Sequence, residues 1–217
     1  MMLDAAKARR FMVDGQVRTA DVTDPDMVEA MLSLPRERFM PAGKAALAYL
    51  DSDIPLAKDR ALLKPMVLAK LIQAAQVARG DRVLDVGCGT GYSTALLAHI
   101  AGSAVGLEED VDLAARAREA LASVGARAEV VVGPLTAGWP AGTPYDVILL
   151  NGATEIVPET LGAQLKPDGR LACIYGRSPV GKAMIYRVSE GRLVGRPAFD
   201  AAAPVLPGFA AAPQFVF

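Results

Sequence analysis

Three glycines at alternate positions carry the strongest chemical signal in this sequence. Gly87, Gly89 and Gly91 follow a short apolar run at residues 83–86 and precede a helical pattern that begins at Tyr92. This order is typical of a strand buried on both faces of a parallel sheet, followed by a turn and a helix. Glycine lets the backbone approach a ligand closely, and the helix start offers free N–H groups with a partial positive charge. The turn is therefore predicted to bind a small molecule.

Two carboxylates narrow the choice of ligand. Asp85 at the tip of the first predicted strand would repel a pyrophosphate but attract an ammonium group. Glu108 ends the next predicted strand, about 20 residues after the turn, where an acid commonly binds ribose hydroxyls. S-adenosylmethionine carries an ammonium group and a ribose but no phosphate. The acids thus favour S-adenosylmethionine, with S-adenosylhomocysteine as product, over the alternatives of a dinucleotide site or a merely structural turn. The residues predicted from this pattern to bind the cofactor are Asp85, Gly87, Cys88, Gly89, Thr90, Gly91 and Glu108.

Composition excludes several classes of protein. The chain has 217 residues, which suits one domain, and it is 52% hydrophobic, which allows a sizeable core. A net charge of −1 gives no electrostatic footprint for nucleic acid. The sequence has neither the apolar region of a signal peptide nor an uncharged run long enough to span a membrane. Cys88 and Cys173 are unclustered, so neither a disulfide framework nor a metal site is expected. These features predict a cytoplasmic enzyme, while its oligomeric state is left undetermined.

From Arg82 onward, predicted strands alternate with predicted helices. Strands are predicted at 82–87, 104–108, 128–132, 145–150, 170–175, 182–188 and 193–199. Helices are predicted at about 91–101, 112–123 and 156–164. This alternation indicates a doubly wound, mostly parallel sheet. The Glu190-Gly191 hairpin signal makes at least one of the last two strands antiparallel.

The first 80 residues have a different pattern. They are predicted to form a helical extension that covers the side of the cofactor site where a methyl acceptor would bind. Helices are expected over 4–18, from Pro25 after the capping residue Asp24, and from Pro65, with an irregular segment at 54–64. Residues 81–200 are predicted to form the cofactor-binding domain, and 201–217 an Ala/Pro-rich extended tail. The three parts are expected to form a single compact domain.

With these pieces in order, the chain resembles the protein-L-isoaspartate O-methyltransferase family, from about Arg9 to Leu206. The D-V-G-C-G-T-G turn with its strand-end glutamate resembles class I methyltransferases in general. The family-specific parts are the leader M-V-D-G-Q-V-R and the stretch P-R-E-R-F-M-P. The resemblance implies a Rossmann-like class I methyltransferase fold, with a seven-stranded, mostly parallel sheet, helices on both faces and an N-terminal helical extension.

The resemblance also implies a reaction, the methylation of the α-carboxylate of isoaspartyl residues in damaged proteins, which leads to their repair. Such a carboxylate has a pKa near ~4 and is ionised at pH 7, so no general base is needed. Positioning of the two reactants and removal of water would then supply most of the catalysis. The alternatives are a diverged member of the family that methylates another acceptor and one that is not catalytic.

Three departures from the family pattern concern the acceptor and the adenine. The family's Gly-Gln-Thr-x-Ser segment corresponds here to residues 59–63, where Ala61 and Leu63 replace two hydroxyl groups at the acceptor position. Weak activity on isoaspartyl peptides is therefore predicted, and Leu63→Ser with Ala61→Thr is predicted to raise it. The family's Asp-Gly after the third strand becomes Pro134-Leu135, which assigns Leu135 to the adenine side. Its Thr-Ala after the fourth strand becomes Asn151-Gly152, and Asn151 is predicted either to donate to an acceptor carboxylate or to close a turn.

A basic cluster offers a replacement for the missing hydroxyls. Lys58, Arg60 and Lys64 surround the altered segment, and Arg60 occupies the family's Gln position. A guanidinium can hold a carboxylate in bidentate geometry. Arg60 and Lys58 are therefore predicted to bind the acceptor carboxylate, with Arg60 pointing into the groove above the glycine turn. A solvated loop is the alternative interpretation of this cluster.

Overall fold

The computed structural model describes residues 4–212. Its N-terminal part contains α1 (Ala5–Met12), α2 (Pro25–Ser33) and α3 (Pro65–Ala74), with strands β1 (Ile54–Ala57) and β2 (Arg60–Leu62) before α3. Asp24 caps α2, as predicted, by accepting hydrogen bonds from Asp26 N and Met27 N. The helix predicted over 4–18 is less regular than expected. After Met12 it continues as a π-helical turn at Val13–Val17 and a 3₁₀ turn at Arg18–Ala20. Gly15, a poor helix former, lies in the π-helical turn.

The segment predicted to be irregular, 54–64, is instead an antiparallel hairpin of β1 and β2. Ile54 pairs with Leu62, and both side chains are buried. Asp59 turns the chain with φ of 56°, a conformation that aspartate tolerates better than most residues. The alternation was hard to detect because Pro55 interrupts it, and proline within a strand is confined to edge positions. This hairpin forms a two-stranded sheet of its own.

Residues 83–200 contain the seven strands of a larger sheet, which confirms the predicted fold class. Its strands are β3 (Val83–Val86), β4 (Ala104–Glu108), β5 (Ala128–Val132), β6 (Tyr145–Thr154), β7 (Leu165–Arg177), β8 (Val180–Ser189) and β9 (Arg192–Asp200). They are arranged in the order β5-β4-β3-β6-β7-β8-β9. The pairs from β5 to β7 are parallel, and those from β7 to β9 are antiparallel. The helices between the strands are α4 (Tyr92–Ala101), α5 (Val111–Ser123) and α6 (Glu159–Gly162).

Among the elements after residue 82, three differ from their predicted bounds by more than two residues. β6 extends four residues beyond its predicted end. β7 begins five residues before its predicted start, because an irregularity in its pairing with β6 lets the strand include the turn-like sequence P-D-G. α6 is shorter than predicted because it begins only after Pro158. The other strands, α4 and α5 lie within two residues of their predicted bounds.

The central strands of the sheet are buried on both faces, which explains their apolar sequences. Val83 packs into one buried cluster, and Leu84 and Val86 pack into the other. In the tail, Val205 forms a parallel bridge with Ala153 of β6, and Leu206 and Phe209 are buried. The part of the tail predicted at 213–217 lies outside the described residues, and the division into three parts remains a prediction. No helix between residues 4 and 212 has both the length and the apolar character needed to cross a membrane.

Candidate functional site

The glycine turn joins β3 to α4 as the sequence predicts. Gly87 N and Cys88 N donate to Leu107 O of the neighbouring strand β4, at 2.8 and 3.1 Å. Gly91, with φ of 91°, is the N-cap residue of α4. The turn therefore lies at the carboxyl end of the central strands, where doubly wound folds bind their ligands. We call the turn 87–91, together with Asp85 and Glu108, the cofactor site.

Asp85 is fully buried beneath the turn. Its Oδ2 accepts hydrogen bonds from Ser93 Oγ and Thr94 Oγ1, both at 2.6 Å. Its Oδ1 has no partner among the described residues. Burial raises the pKa of Asp85 to about 6, and the two hydroxyl hydrogen bonds limit this rise. An unpartnered buried carboxylate oxygen suits an ammonium group.

Glu108 ends β4, and its buried carboxylate already receives four hydrogen bonds. Oε2 accepts from Gly89 N at 2.8 Å and from Arg60 Nη2. Oε1 accepts from Glu109 N and Asp110 N, at 3.0 and 3.2 Å. Burial raises the pKa of Glu108, and the Arg60 guanidinium opposes that rise. An ionised carboxylate offers about four lone-pair sites, so this one is saturated.

Arg60 is where the structure departs most from the sequence-based hypothesis. Its side chain is 5% exposed and forms an ion pair with Glu108. Nη2 lies 3.4 Å from the position that a Cβ of Gly87 would occupy, so the guanidinium does lie against the turn. Its carboxylate partner, however, is a residue of the same chain rather than a methyl acceptor. Lys58 is exposed at the hairpin turn and is not brought to the site.

Two leucines that the sequence analysis did not identify pack against the same turn. Leu206 Cδ1 lies 3.1 Å from the Cβ position of Gly87, and Leu206 Cγ lies 2.6 Å from that of Gly152. Leu56 Cδ1 lies 2.8 Å from the Cβ position of Gly89. Neither leucine had a local signal, because one lies in a hairpin broken by proline and the other in the tail. The sequence analysis also missed Ser93 and Thr94. Their signal was available, because both are hydroxyl residues in the first turn of the helix that follows the glycine turn.

Asn151 of β6 is part of this hydrogen-bond network and does not merely close a turn. Its Nδ2 donates to Ser93 Oγ at 2.8 Å and to Gly87 O at 3.4 Å. Its Oδ1 has no partner within residues 4–212. The amide N–H groups that were predicted to reach an acceptor carboxylate are therefore engaged inside the site.

The remaining predicted site residues are placed mainly by packing. Thr90 Oγ1 donates to Phe39 O at 2.6 Å, and this bond ties the turn to the N-terminal part. Cys88 is buried, which raises the pKa of its thiol, and Leu135 is fully buried. Leu63 is 1% exposed within the core, so it does not lie on an open acceptor groove. A serine there would be surrounded by apolar side chains.

The polar groups of the cofactor site fit S-adenosylmethionine, although side chains occupy the space against the turn. The free oxygens of Asp85 and Asn151 suit the ammonium group, and Glu108 would take the ribose hydroxyls in exchange for the Arg60 guanidinium. Arg60, Leu56 and Leu206 pack where a ligand would approach the glycines. Cavities of about 880 and 520 Å³ are lined neither by residues of the turn nor by Glu108, although Leu206 lines the smaller one.

Solved structures of methyltransferases share this fold. One protein-L-isoaspartate O-methyltransferase superposes with a TM-score of 0.80 at 24% identity, covering 92% of this chain and 66% of that one. A putative protein-L-isoaspartate O-methyltransferase from Plasmodium falciparum, solved with S-adenosyl-L-homocysteine, gives 0.78 at 18% identity, covering 91% and 97%. The fold is that of the class I methyltransferases, and the polar groups of the cofactor site fit the S-adenosylmethionine that this class uses.

Sequence comparison places the chain in a particular family. The profile of protein-L-isoaspartate(D-aspartate) O-methyltransferase (PCMT) matches residues 8–192. The protein-L-isoaspartate O-methyltransferase of Methylorubrum extorquens (strain PA1) is 37% identical over 189 residues, which cover 87% of this chain and 82% of that protein. Protein-L-isoaspartate O-methyltransferase 2 of Anaeromyxobacter sp. (strain Fw109-5) is 38% identical over 178 residues, 82% and 72% of the two chains. The chain belongs to the protein-L-isoaspartate(D-aspartate) O-methyltransferase family.

Proposed function

We propose that this protein transfers a methyl group from S-adenosylmethionine to the α-carboxylate of isoaspartyl residues in damaged proteins. The observation that carries the proposal is the buried arrangement of Asp85 and Glu108 on either side of the glycine turn. Two acids that lie at the ends of adjacent strands suit a ligand with an ammonium group and a ribose, and they disfavour a pyrophosphate. Membership of the family supports the isoaspartyl acceptor.

The chain's own residues would act mainly by binding and by excluding water. Asp85 and Asn151 would hold the ammonium group through Oδ1 atoms that lack other partners. Glu108, held by three backbone N–H groups, would take the ribose hydroxyls in place of the Arg60 guanidinium. When bound, S-adenosylmethionine supplies an electrophilic methyl group next to a sulfonium. The isoaspartyl carboxylate is already ionised at neutral pH, so the chain needs no general base for it.

The residues at the predicted acceptor position offer few hydrogen-bond donors to a carboxylate. Ala61 and Leu63 offer no hydroxyl to a carboxylate, and Asn151 Nδ2 is already engaged. These observations favour a second candidate, a family member whose acceptor has diverged. We also propose a cytoplasmic location, to which the free, buried thiols of Cys88 and Cys173 are suited.

Methyl transfer to matched peptides tests the proposal. Labelled S-adenosylmethionine would be supplied with a peptide that contains one isoaspartyl residue and with its aspartyl twin. We expect label to appear on the isoaspartyl peptide alone, and Asp85→Ala to reduce the signal by weakening cofactor binding by about 1.5–3 kcal/mol. Equal labelling of both peptides would indicate a diverged acceptor. No labelling of either, by a protein that binds the cofactor, would refute isoaspartyl transfer.

A further inference from the structure

The carboxylate of Glu108 has no site left for the hydroxyls of a ribose. Three of its four hydrogen-bond donors are backbone N–H groups fixed by the turn and by the start of α5. The fourth is the guanidinium of Arg60, the one side chain among them. A ligand that uses Glu108 must therefore displace Arg60, because the backbone donors cannot leave without unfolding the turn.

Apolar side chains close the same space. Leu56, from the same hairpin as Arg60, packs against Gly89, while Leu206 packs against Gly87 and Gly152. Because a Cβ at any of these glycines would lie within about 3 Å of a leucine carbon, a ligand atom would meet the same obstacle. The hairpin thus contributes both a charged and an apolar group to the closure.

The turn end of the hairpin can move, whereas its base is anchored by the buried side chains of Ile54 and Leu62. β1 and β2 pair only with each other in the described part of the chain, so their displacement breaks no hydrogen bond of the seven-stranded sheet. Lys58 and Asp59 at its turn are exposed. In the closed position Arg60 Nη1 is buried without a hydrogen-bond partner among residues 4–212. An unsatisfied buried group destabilises the closed state.

We propose that Arg60 is a built-in competitor for Glu108, so that the cofactor binds only when the β1–β2 hairpin withdraws Arg60 and Leu56 from the glycine turn. This inference rests on the proposed use of S-adenosylmethionine. The protein would then exist mainly in a closed form, and its apparent affinity would be reduced by the fraction of molecules that are open.

Calorimetric titration with S-adenosylhomocysteine tests this competition without any catalytic turnover. Arg60→Ala frees Glu108, and we expect its dissociation constant to be about 10-fold to 1,000-fold lower than that of the wild type, as for an open state populated at 0.1–10%. Arg170→Ala is the matched control. Arg170 forms a partly buried ion pair with Asp81 at 2.9 Å, and it lies near the amino end of the sheet. We expect that variant to lose stability and to keep the wild-type affinity.

The outcomes separate this inference from the proposed function. Equal or weaker binding by Arg60→Ala would overturn the competition, and so would no binding by any variant. Tight binding by Arg60→Ala without methyl transfer to an isoaspartyl peptide would support the competition and count against the proposed acceptor. If Arg60→Ala fails to fold, Leu56→Ala removes the half-buried apolar part of the closure. Tighter binding by that variant supports the proposal, and unchanged binding overturns it.

Discussion

Asn151 in β6 donates a hydrogen bond from Nδ2 to Ser93 Oγ at 2.8 Å, and Ser93 in turn donates to Asp85 Oδ2 at 2.6 Å. This chain of side chains joins β6, α4 and β3 beneath the glycine turn. Because each hydroxyl has a single proton, the direction of donation is set by the amide at one end and the carboxylate at the other.

Asn151→Ala should reduce the free energy of unfolding by about 1 kcal/mol, because a buried hydrogen bond is lost. Urea unfolding of Asn151→Ala, Ser93→Ala and the double variant measures the coupling between the two residues. We expect a coupling energy of about 0.5–1.5 kcal/mol. Strict additivity of the two single effects would show that the bond does not contribute to stability.

Asp85→Asn should stabilise the protein at neutral pH and weaken cofactor binding. The folded pKa of about 6 exceeds the ordinary value of about 4, so the folded state retains a proton that the unfolded state loses. Between these values the free energy of unfolding falls as pH rises, by about 3 kcal/mol in all. The asparagine variant lacks this loss, so it should match the wild type at pH 4 and exceed it at pH 7.5.

Urea unfolding at the two pH values checks the stability of Asp85→Asn, and calorimetry checks its affinity. Removing a charge-assisted hydrogen bond should weaken S-adenosylhomocysteine binding by about 1.5–3 kcal/mol at pH 7.5. A variant that is less stable than the wild type at pH 7.5 would contradict the raised pKa.

Glu108→Gln should be more damaging to stability than loss of both members of the ion pair. The single change leaves the buried Arg60 guanidinium without a carboxylate, and breaking a buried pair in this way typically costs about 3–5 kcal/mol. Adding Arg60→Ala removes the stranded charge, so the double variant should recover part of the loss. Thermal and urea unfolding of the four proteins check this. Equal stability of the single and double variants would argue against a buried pair.

Gly89→Ala tests the contact between the turn and Leu56. Gly89 has φ of 59°, and an added Cβ would lie 2.8 Å from Leu56 Cδ1. Gly125→Ala is the matched control, since its φ is 66° and nothing lies within 4 Å of its Cβ position. Both changes should cost about 1–2 kcal/mol for the left-handed backbone, and Gly89→Ala should cost more because of the clash. Leu56→Ala should recover the difference, and failure to do so would place the clash elsewhere.

Leu63→Ser should destabilise the protein without raising its activity. Leu63 is fully buried in the core, and truncation of such a leucine typically costs about 2–5 kcal/mol. Ala61→Thr, at a half-buried position of the hairpin, serves as the milder comparison. Thermal unfolding and methyl transfer to an isoaspartyl peptide check both variants. A stable Leu63→Ser protein with higher activity would support the prediction that the missing hydroxyl groups limit activity on isoaspartyl peptides.

The doubly wound sheet, the glycine turn and the two acids beside it could all be predicted from the sequence. These features are local, since buried parallel strands, a turn that needs positive φ and a capped helix leave signals within a few residues. Gly87, Asp85 and Glu108 lie at the expected ends of adjacent strands because chain order and sheet topology together fix them there. The N-terminal helix from Pro25 and its capping residue were determined in the same way.

The side chains that face the glycine turn could be identified only from contacts made in the folded chain. Arg60, Leu56 and Leu206 come from a hairpin and a tail that are distant in sequence, and nothing in their own neighbourhoods indicates a partner. The basic cluster suggested that Arg60 binds a methyl acceptor, whereas the folded chain pairs it with the buried carboxylate of Glu108. Leu63, which was expected at the acceptor position, likewise lies in the core. A buried charge must find its partner within a few ångströms, and that distance is a property of the folded chain.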